Sequence, residues 1–298
     1  MPSASPSDPP SGLPQALGAH LVWGLLPLYL ILVRHVPAFE FVGWRVVFTL
    51  PFCLLLIALQ KQWGELAMIV RSKRMLGALT LSATLIGANW LIYIAAIQAG
   101  HVFAASIGYY IIPLVNICLG TLFLGERLRP QQWLAVALAA IGVGVLAAED
   151  LSHLWISLSL AASFGIYGLV RKLAPVGPIT GLAAETVFLA LPAFAIVAWY
   201  AASPGGSSMG KAWPDDLLIA MSGVITAVPL MLFAVAARRM SYSTLGFIQF
   251  LSPTLVFLLG LFVFHEPLKL AQLGCFIAIW AACAIFTQDL LKVQREKT

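Results

Sequence analysis

Charged side chains are scarce in this sequence. They make up 10% of its 298 residues, while 61% are hydrophobic and the mean hydropathy is +0.95. A soluble globular chain carries about 25% charged and about 45–50% apolar residues. Because a folded chain of this size needs a polar surface in water, the shortage of charge excludes a soluble globular protein. The composition predicts a protein embedded in lipid.

Other absences exclude further classes of function. The four cysteines lie inside apolar runs without CxxC or His-paired spacing, so neither disulfides nor a metal site is indicated. There is no glycine-rich phosphate loop and no catalytic motif, so we expect no catalytic residue, no cofactor and no enzyme. The 17 Lys and Arg form no basic stripe with interleaved aromatics, so nucleic acid is not an expected partner. The expected partners are the lipid bilayer and a small molecule; the oligomeric state is left open, and a monomer is compatible with the sequence.

Apolar runs of membrane-spanning length recur ten times. A hydrocarbon core about 30 Å thick requires about 20 apolar residues per helix, and barrel strands would show alternation over about ten residues instead. The sequence therefore predicts an all-α integral membrane protein with ten transmembrane helices, at residues 15–34, 38–59, 76–97, 102–124, 132–148, 154–170, 180–201, 216–237, 243–264 and 270–288.

The basic residues are distributed unevenly between alternate loops. One set of loops and the C-terminal tail hold 13 of the 17 Lys and Arg, the other set holds three, and Arg45 lies inside a span. Cytoplasmic loops carry an excess of Lys and Arg. We therefore expect a multi-pass protein of the bacterial inner membrane with both termini in the cytoplasm.

The chain contains an internal repeat. Residues 113–132 align without gaps on residues 253–272, with six identities in twenty positions at an offset of 140. The offset relates span 2 to span 7, span 3 to span 8 and span 5 to span 10. Each half then has five spans, so the second half is inverted, which is a transporter architecture. The predicted organisation is a disordered tail at 1–13, five-helix repeats at 14–149 and 150–290, and a basic tail at 291–298.

Two charged residues inside spans are candidates for solute binding. A charge at the centre of a span costs about 2.5–3.5 kcal/mol on insertion scales, and Arg45 and Glu185 are related by the offset of 140. In one interpretation both face a central cavity, where Arg45 holds a carboxylate through paired N–H bonds. In the other interpretation each lies near a helix end and reaches the membrane interface.

Prolines and polar aromatics supply the remaining candidates. Pro113 and Pro253 are predicted to break their helices at matched positions, either lining the site or forming a packing kink. Asn89, Tyr93 and Tyr109 can form a pocket for an aromatic or amphipathic solute, although membrane interfaces also recruit tyrosine. The repeat makes Phe233 the partner of Tyr93 and Gln249 the partner of Tyr109, so all four are expected around one water-accessible cavity. His20 is either a proton relay or a packed histidine.

Several stretches resemble one transporter family. They are WGLLPLY (23–29), NWLIY (89–93), SIGYYIIPL (106–114), GERL (125–128), TAVPLMLFAVAARR (226–239), LGFIQFLSPT (245–254), HEPL (265–268) and FIAIW (276–280). Together with Glu40 and Arg45, they resemble the RarD-type branch of the EamA family, in the drug/metabolite transporter superfamily, from about Leu17 to Gln288.

The resemblance implies ten helices in two inverted halves, cytoplasmic termini and export of small metabolites. YddG-type relatives export aromatic and other neutral amino acids, so we expect export of such amino acids by alternating access. Multidrug-type efflux of drug-like or other metabolites is the alternative.

The uneven distribution of basic residues predicts the topology. Reporter fusions after Lys73 and Lys172 are expected to report the cytoplasm, and fusions after Asp150 and Lys211 the periplasm, because positive loops stay inside. Paired alkaline phosphatase and fluorescent protein fusions measure this. If the fusions after Lys172 and Lys211 reported the same side of the membrane, this result would contradict the inverted repeat.

Overall fold

A computed structural model describes residues 12–265 and 267–295, with side chains described as far as Lys292. Within these ranges the chain is helical and contains no strand. Most of the predicted N-terminal tail and the end of the C-terminal tail lie outside the described residues, as does Glu266, the repeat partner of Glu126. Leu13 already belongs to the first helix, so that tail ends one residue earlier than predicted.

The helices follow the predicted spans to within a few residues. Their bounds are α1 Leu13–Leu32, α2 Ala38–Gln60, α3 Trp63–Arg71, α4 Lys73–Gln98, α5 Val102–Phe123, α6 Pro130–Ala147, α7 Leu154–Leu173, α8 Pro178–Ala202, α9 Trp213–Arg239, α10 Tyr242–Gln249, α11 Leu251–Phe262 and α12 Leu270–Arg295. The short helix α3 was not predicted. The expected tail from residue 291 is helical as far as Arg295, because α12 continues through it.

Nine helical stretches among the described residues are long and apolar enough to cross a membrane. One of them, Pro130–Leu173, has 44 residues and contains both α6 and α7, joined by a 3₁₀ turn. At 1.5 Å per residue it would be about twice as long as a bilayer core, so α6 and α7 are separate crossings. The consecutive helices α10 and α11 together form one crossing. The chain is a multi-pass membrane protein.

Polar contacts between the halves show how the helices are directed. The carboxylate of Glu126, just after α5, accepts hydrogen bonds from the backbone N–H groups of Tyr242 (2.5 Å) and Ser243 (2.8 Å) at the start of α10. Arg129 precedes α6, and its Nε donates to Asp289 Oδ2 (2.8 Å) near the end of α12. The end of one helix therefore meets the start of its partner. Both couples are antiparallel, as an inverted repeat requires.

The couple α2 and α8 is held at both of its ends. Glu40, at the start of α2, accepts hydrogen bonds from Ser207 Oγ (2.6 Å) and Ser208 Oγ (2.8 Å), just after α8. Glu65, just after α2, accepts a hydrogen bond from the N–H of Gly177, just before α8. This couple is also antiparallel. We call the two ends of the bundle the Glu40 end and the Glu126 end.

Helices α1 and α7 also make equivalent contacts. Helix α1 packs on α9 and α11, while α7 packs on α4 and α5. The repeat relates α1 to α7, α9 to α4 and α11 to α5. The two halves therefore use equivalent helices to contact each other.

Some of these contacts bring backbones together. A Cβ atom at Gly223 in α9 would lie 2.4 Å from the carbonyl carbon of Phe48 in α2. Small residues allow helices in lipid to approach this closely. At Gly144 in α6, by contrast, a Cβ atom would meet nothing within 4 Å.

The tight contact at Gly223 makes a prediction about stability. Gly223→Ala is expected to lower the melting temperature of the purified protein, because overpacking costs about 1–3 kcal/mol. The matched change Gly144→Ala is expected to leave it unchanged or raise it, since alanine favours helix over glycine by about 1 kcal/mol. Thermal unfolding followed by tryptophan fluorescence measures both. Equal melting temperatures for the two variants would contradict the close contact.

Candidate functional site

Arg45 lies about two turns into α2 from the Glu40 end. Its Nε donates to Thr226 Oγ1 in α9 (2.9 Å), and its guanidinium lies over the Trp90 ring in α4, 4.8 Å from the centroid. Neither terminal nitrogen of Arg45 donates a hydrogen bond to another described residue. The side chain is half-buried. These two contacts fix the guanidinium and leave its terminal nitrogens for a ligand.

Three tyrosines surround this arginine. Tyr29 in α1, Tyr93 in α4 and Tyr109 in α5 lie close enough to Arg45 to interact with it electrostatically. The Tyr93 and Tyr109 rings meet edge to face, with centroids 5.8 Å apart. Tyr109 is 44% exposed, so part of its side chain borders space that no protein atom fills. We call the space bounded by Tyr29, Arg45, Trp90, Tyr93 and Tyr109 the vestibule.

The repeat-related positions in the second half are packed instead. Glu185, the partner of Arg45, is buried and lies 3.5 Å from the buried Arg171. Phe233 is fully buried against the rings of His20, Trp23 and Phe164. Gln249 is 6% exposed and accepts a hydrogen bond from Asn116 Nδ2 (2.5 Å). These side chains therefore expose more surface towards the Glu40 end than their repeat partners do towards the Glu126 end, and we call the two arrangements open and sealed.

A small cavity lies between the open and the sealed parts. Of its ten lining residues, eight form four pairs separated by 140 positions, and the other two are Leu182 and Glu185. The pairs are Val46 with Thr186, Thr49 with Leu189, Ile86 with Thr226, and Trp90 with Leu230. The repeat offset therefore corresponds to a spatial relation around this cavity. The cavity lies where the pseudo-two-fold axis of the two halves passes.

The structure brings some predicted site residues together and separates others. Arg45, Tyr93 and Tyr109 share the vestibule. Phe233 and Gln249 are buried in this structure. That both members of each pair line one water-accessible cavity stays a prediction. Asn89 is buried, and its Nδ2 donates to Leu160 O and Ser163 Oγ (both 2.9 Å), so its amide joins α4 to α7.

The predicted proline breaks are also corrected. Helix α5 runs through Pro113 without interruption, although proline removes the N–H that would bond the carbonyl of Tyr109. The ninth span is interrupted at Phe250, and Pro253 follows in the first turn of α11, where a missing N–H has little effect. The Pro113 carbonyl contacts α10 closely, because a Cβ at Gly246 would lie 2.8 Å from its oxygen. Pro113 therefore helps to seal the bundle.

Sequence reasoning missed several residues of the site. Arg171 was assigned to a loop, but it is 2% exposed in the last turn of α7. The signal for it was Glu185 itself, because a charge inside a membrane protein needs a partner. Thr226 and Ser82 carry no comparable signal in the sequence. His20 is packed: its Nδ1 lies 3.0 Å from Ser252 Oγ, and it is fully buried.

Comparisons with known proteins agree with this architecture. The sequence profile of the EamA-like transporter family matches residues 10–148 and again residues 151–288. The chain is 43% identical to an uncharacterized transporter of Vibrio cholerae, over 96% of this chain and 94% of that protein. It is 42% identical to protein RarD of Escherichia coli strain K12, over 95% and 96% of the two chains.

Two more distant similarities add detail. A protein of Pseudomonas aeruginosa named chloramphenicol-sensitive protein RarD is 28% identical, over 96% of both chains. One crystal structure superposes with a TM-score of 0.70 over 92% of this chain and 96% of the other, at 15% identity. This last similarity supports the fold alone.

The asymmetry between Tyr109 and Gln249 can be measured. In a protein whose four native cysteines are replaced by alanine, Tyr109→Cys is expected to react with a bulky water-soluble maleimide, because this position is exposed in the vestibule. The repeat-related variant Gln249→Cys is expected to react much more slowly, because its side chain is buried. Labelling rates in lipid nanodiscs measure the difference. Equal rates would mean that the site is not sealed at the Glu126 end.

Proposed function

This chain belongs to the EamA-like transporter family, and we propose that it exports small metabolites, above all neutral and aromatic amino acids, across a bacterial inner membrane. One observation carries the proposal. Arg45 is held by Thr226 and Trp90, and its terminal nitrogens donate to no other described residue. Two tyrosines beside it form an aromatic wall.

The carboxylate of an amino acid fits Arg45. An arginine can donate two parallel N–H bonds to one carboxylate, and such bonds are about twice as strong as neutral ones. Because the Nε is already bound to Thr226, the guanidinium loses little further freedom when a carboxylate binds. Arg45 therefore supplies the charge that an acid group requires inside the membrane.

The side chain of an aromatic amino acid fits the tyrosines. Aromatic pairs contribute about 0.5–1.5 kcal/mol beyond the burial of their area. Tyr93 and Tyr109 already meet edge to face, so a third ring can pack against either of them. Their hydroxyl groups can accept hydrogen bonds from an ammonium group. Together with Arg45, they offer a partner for each part of an aromatic amino acid.

The repeat supports transport by alternating access. Equivalent positions of the two halves are open at the Glu40 end and packed at the Glu126 end, so exchanging the two arrangements would move the opening across the membrane. The Glu126 end carries Arg127, Arg129, Arg171, Lys172 and Arg238, and we assign it to the cytoplasm on this charge. The vestibule then opens to the periplasm. The direction of net transport rests on the family resemblance.

A second candidate function is efflux of drug-like aromatic compounds. The name of the Pseudomonas relative mentions chloramphenicol, and the tyrosine wall can bind a flat ring that lacks a carboxylate. Such a solute would not depend on Arg45. The two candidates therefore differ in how they respond to the loss of this residue.

Replacing Arg45 separates the two candidates. Arg45→Gln is expected to weaken phenylalanine binding about 30-fold or more, because removing one partner of a buried charged bond costs about 2–5 kcal/mol. Counterflow of radiolabelled phenylalanine in proteoliposomes measures this. The exposed Arg34 lies in the loop at the same end, so Arg34→Gln serves as the control, with no expected effect.

Two outcomes contradict the first proposal. Unchanged phenylalanine counterflow by a well-folded Arg45→Gln protein would mean that Arg45 has only a structural role. Export of chloramphenicol without phenylalanine counterflow by the wild-type protein would favour drug efflux instead.

A further inference from the structure

The sealed part of the site contains a carboxylate with too few partners. Glu185 is 1% exposed; its Oε1 accepts a hydrogen bond from Ser82 Oγ (2.5 Å) and lies 3.5 Å from Arg171 Nη1. Its Oε2 accepts no hydrogen bond of good geometry among the described residues, although the Tyr167 hydroxyl lies beside the carboxylate, and Nε and Nη1 of Arg171 have no partner there either. The Nη2 of Arg171 donates to the carbonyl of Pro178 (3.1 Å). The two charges are paired, but only partly bonded.

Glu40 provides the contrast within the same chain. It is also fully buried, yet it accepts hydrogen bonds from Ser207 Oγ, Ser208 N, Ser208 Oγ and Trp44 Nε1, at 2.6 to 3.2 Å. A buried carboxylate is stable as an anion when hydrogen bonds satisfy both of its oxygens. Glu40 meets this condition as an anion and holds the fold. Glu185 does not meet this condition. A proton can therefore bind to its carboxylate or leave it with a smaller loss of hydrogen bonds than at Glu40.

The pair at Glu185 needs a glycine beside it. A Cβ atom at Gly181, one helical turn before Glu185, would lie 1.9 Å from Nη1 of Arg171. Any other residue at this position would displace the guanidinium. Gly181 therefore leaves the space through which an arginine of α7 reaches a carboxylate of α8.

Glu185 is also connected to the vestibule. It lines the small cavity together with Thr49, Thr186 and Thr226, and Thr226 is the residue that binds Arg45. The cavity has room for about one water molecule, which can bridge a threonine hydroxyl group and the carboxylate. The small cavity therefore separates the Glu185 carboxylate from the vestibule, and the carboxylate lies in the sealed part of the site.

We propose that Glu185 is a proton-binding site that couples export to proton entry; this rests on the function proposed above. A proton arriving from the vestibule adds to the Glu185 carboxylate, which becomes a neutral carboxylic acid and no longer attracts Arg171. The seal at the Glu126 end then opens, and the proton leaves to that side. The re-formed carboxylate pairs with Arg171 and closes the seal around a bound solute. One proton enters for each solute released.

The groups around Glu185 agree with a single titrating site. Helix α7 contributes Arg171 and Tyr167; α2 contributes Cys53; and α4 contributes the Ser82 hydroxyl. Thr226 of α9 lines the same cavity without a titratable group. A phenol and a thiol in apolar surroundings stay neutral at neutral pH. Within the described residues, the proton on Glu185 is what changes the charge of this cluster.

A pH gradient tests the coupling in proteoliposomes. With the interior one pH unit more acidic and the membrane potential clamped by valinomycin and potassium, the wild-type protein is expected to accumulate phenylalanine inside about tenfold, because one unit of pH equals a tenfold concentration ratio for one-to-one exchange. Glu185→Gln is expected to accumulate none, because its neutral side chain neither carries a proton nor closes the seal around a bound solute. Glu40→Gln, which removes the fully bonded carboxylate, is expected to keep the tenfold accumulation.

A second measurement requires no substrate. Cys53 is fully buried in α2 and interacts electrostatically with Glu185. In a protein whose other three cysteines are replaced by alanine, Glu185→Gln is expected to speed alkylation of Cys53 by N-ethylmaleimide after the rate is divided by the thiolate fraction measured in a pH titration of each variant, because the neutral side chain no longer holds the seal. Glu40→Gln is expected to leave that rate unchanged.

The outcomes distinguish the two proposals. If the wild-type protein exchanges phenylalanine but a pH gradient drives no accumulation, Glu185 does not couple transport, and the proposed function stands. If Glu185→Gln accumulates phenylalanine as the wild-type protein does, the coupling is likewise wrong. If neither phenylalanine nor chloramphenicol is exchanged, the proposed function fails, and the alkylation rate of Cys53 decides the role of Glu185: an unchanged rate overturns it.

Discussion

Lipid offers no hydrogen bonds to a polar group, and the fold of this chain is arranged around that constraint. Three acidic side chains near helix ends are therefore bound to backbone N–H groups or to a base of the opposite half. Glu126 binds the start of α10, Glu65 binds the N–H of Gly177 before α8, and Asp289 pairs with Arg129. Each of these contacts joins the end of one helix to the start of its repeat partner. The same contacts that satisfy the polar groups therefore fix the inverted arrangement of the two halves.

The ten crossings could be predicted because the bilayer sets a length and a composition for each helix. The repeat could also be found, since Pro113 and Pro253, Gly120 and Gly260, and Leu128 and Leu268 keep the same spacing. The vestibule residues Arg45, Tyr93 and Tyr109 were recognisable as polar or charged groups in apolar surroundings. Each of these features can be read from the types of residue and their spacing along the chain.

The rest depends on contacts between distant positions. Tyr109 and Gln249 occupy equivalent positions of the repeat, but in this conformation Tyr109 is exposed and Gln249 is buried. Asn89 is a plausible pocket residue by type, yet its amide joins α4 to α7. Arg171 follows an apolar run like any loop arginine, and only the position of Gly181 allows it to turn inward. No local pattern distinguishes these alternatives.

The four residue pairs that line the small cavity have a consequence for the energetics of the whole chain. None of them is a pair of identical residues: threonine faces valine, leucine and isoleucine, and Trp90 faces Leu230. If the halves were identical, the two directions of opening would have equal free energy and equal population, and the molecule would have no preferred resting state. Each unlike pair adds a difference between the two arrangements, and a difference of 1.4 kcal/mol already shifts the populations tenfold. Under the alternating access proposed above, divergence between the halves at this axis contributes to the choice of the side of the membrane that the empty protein faces.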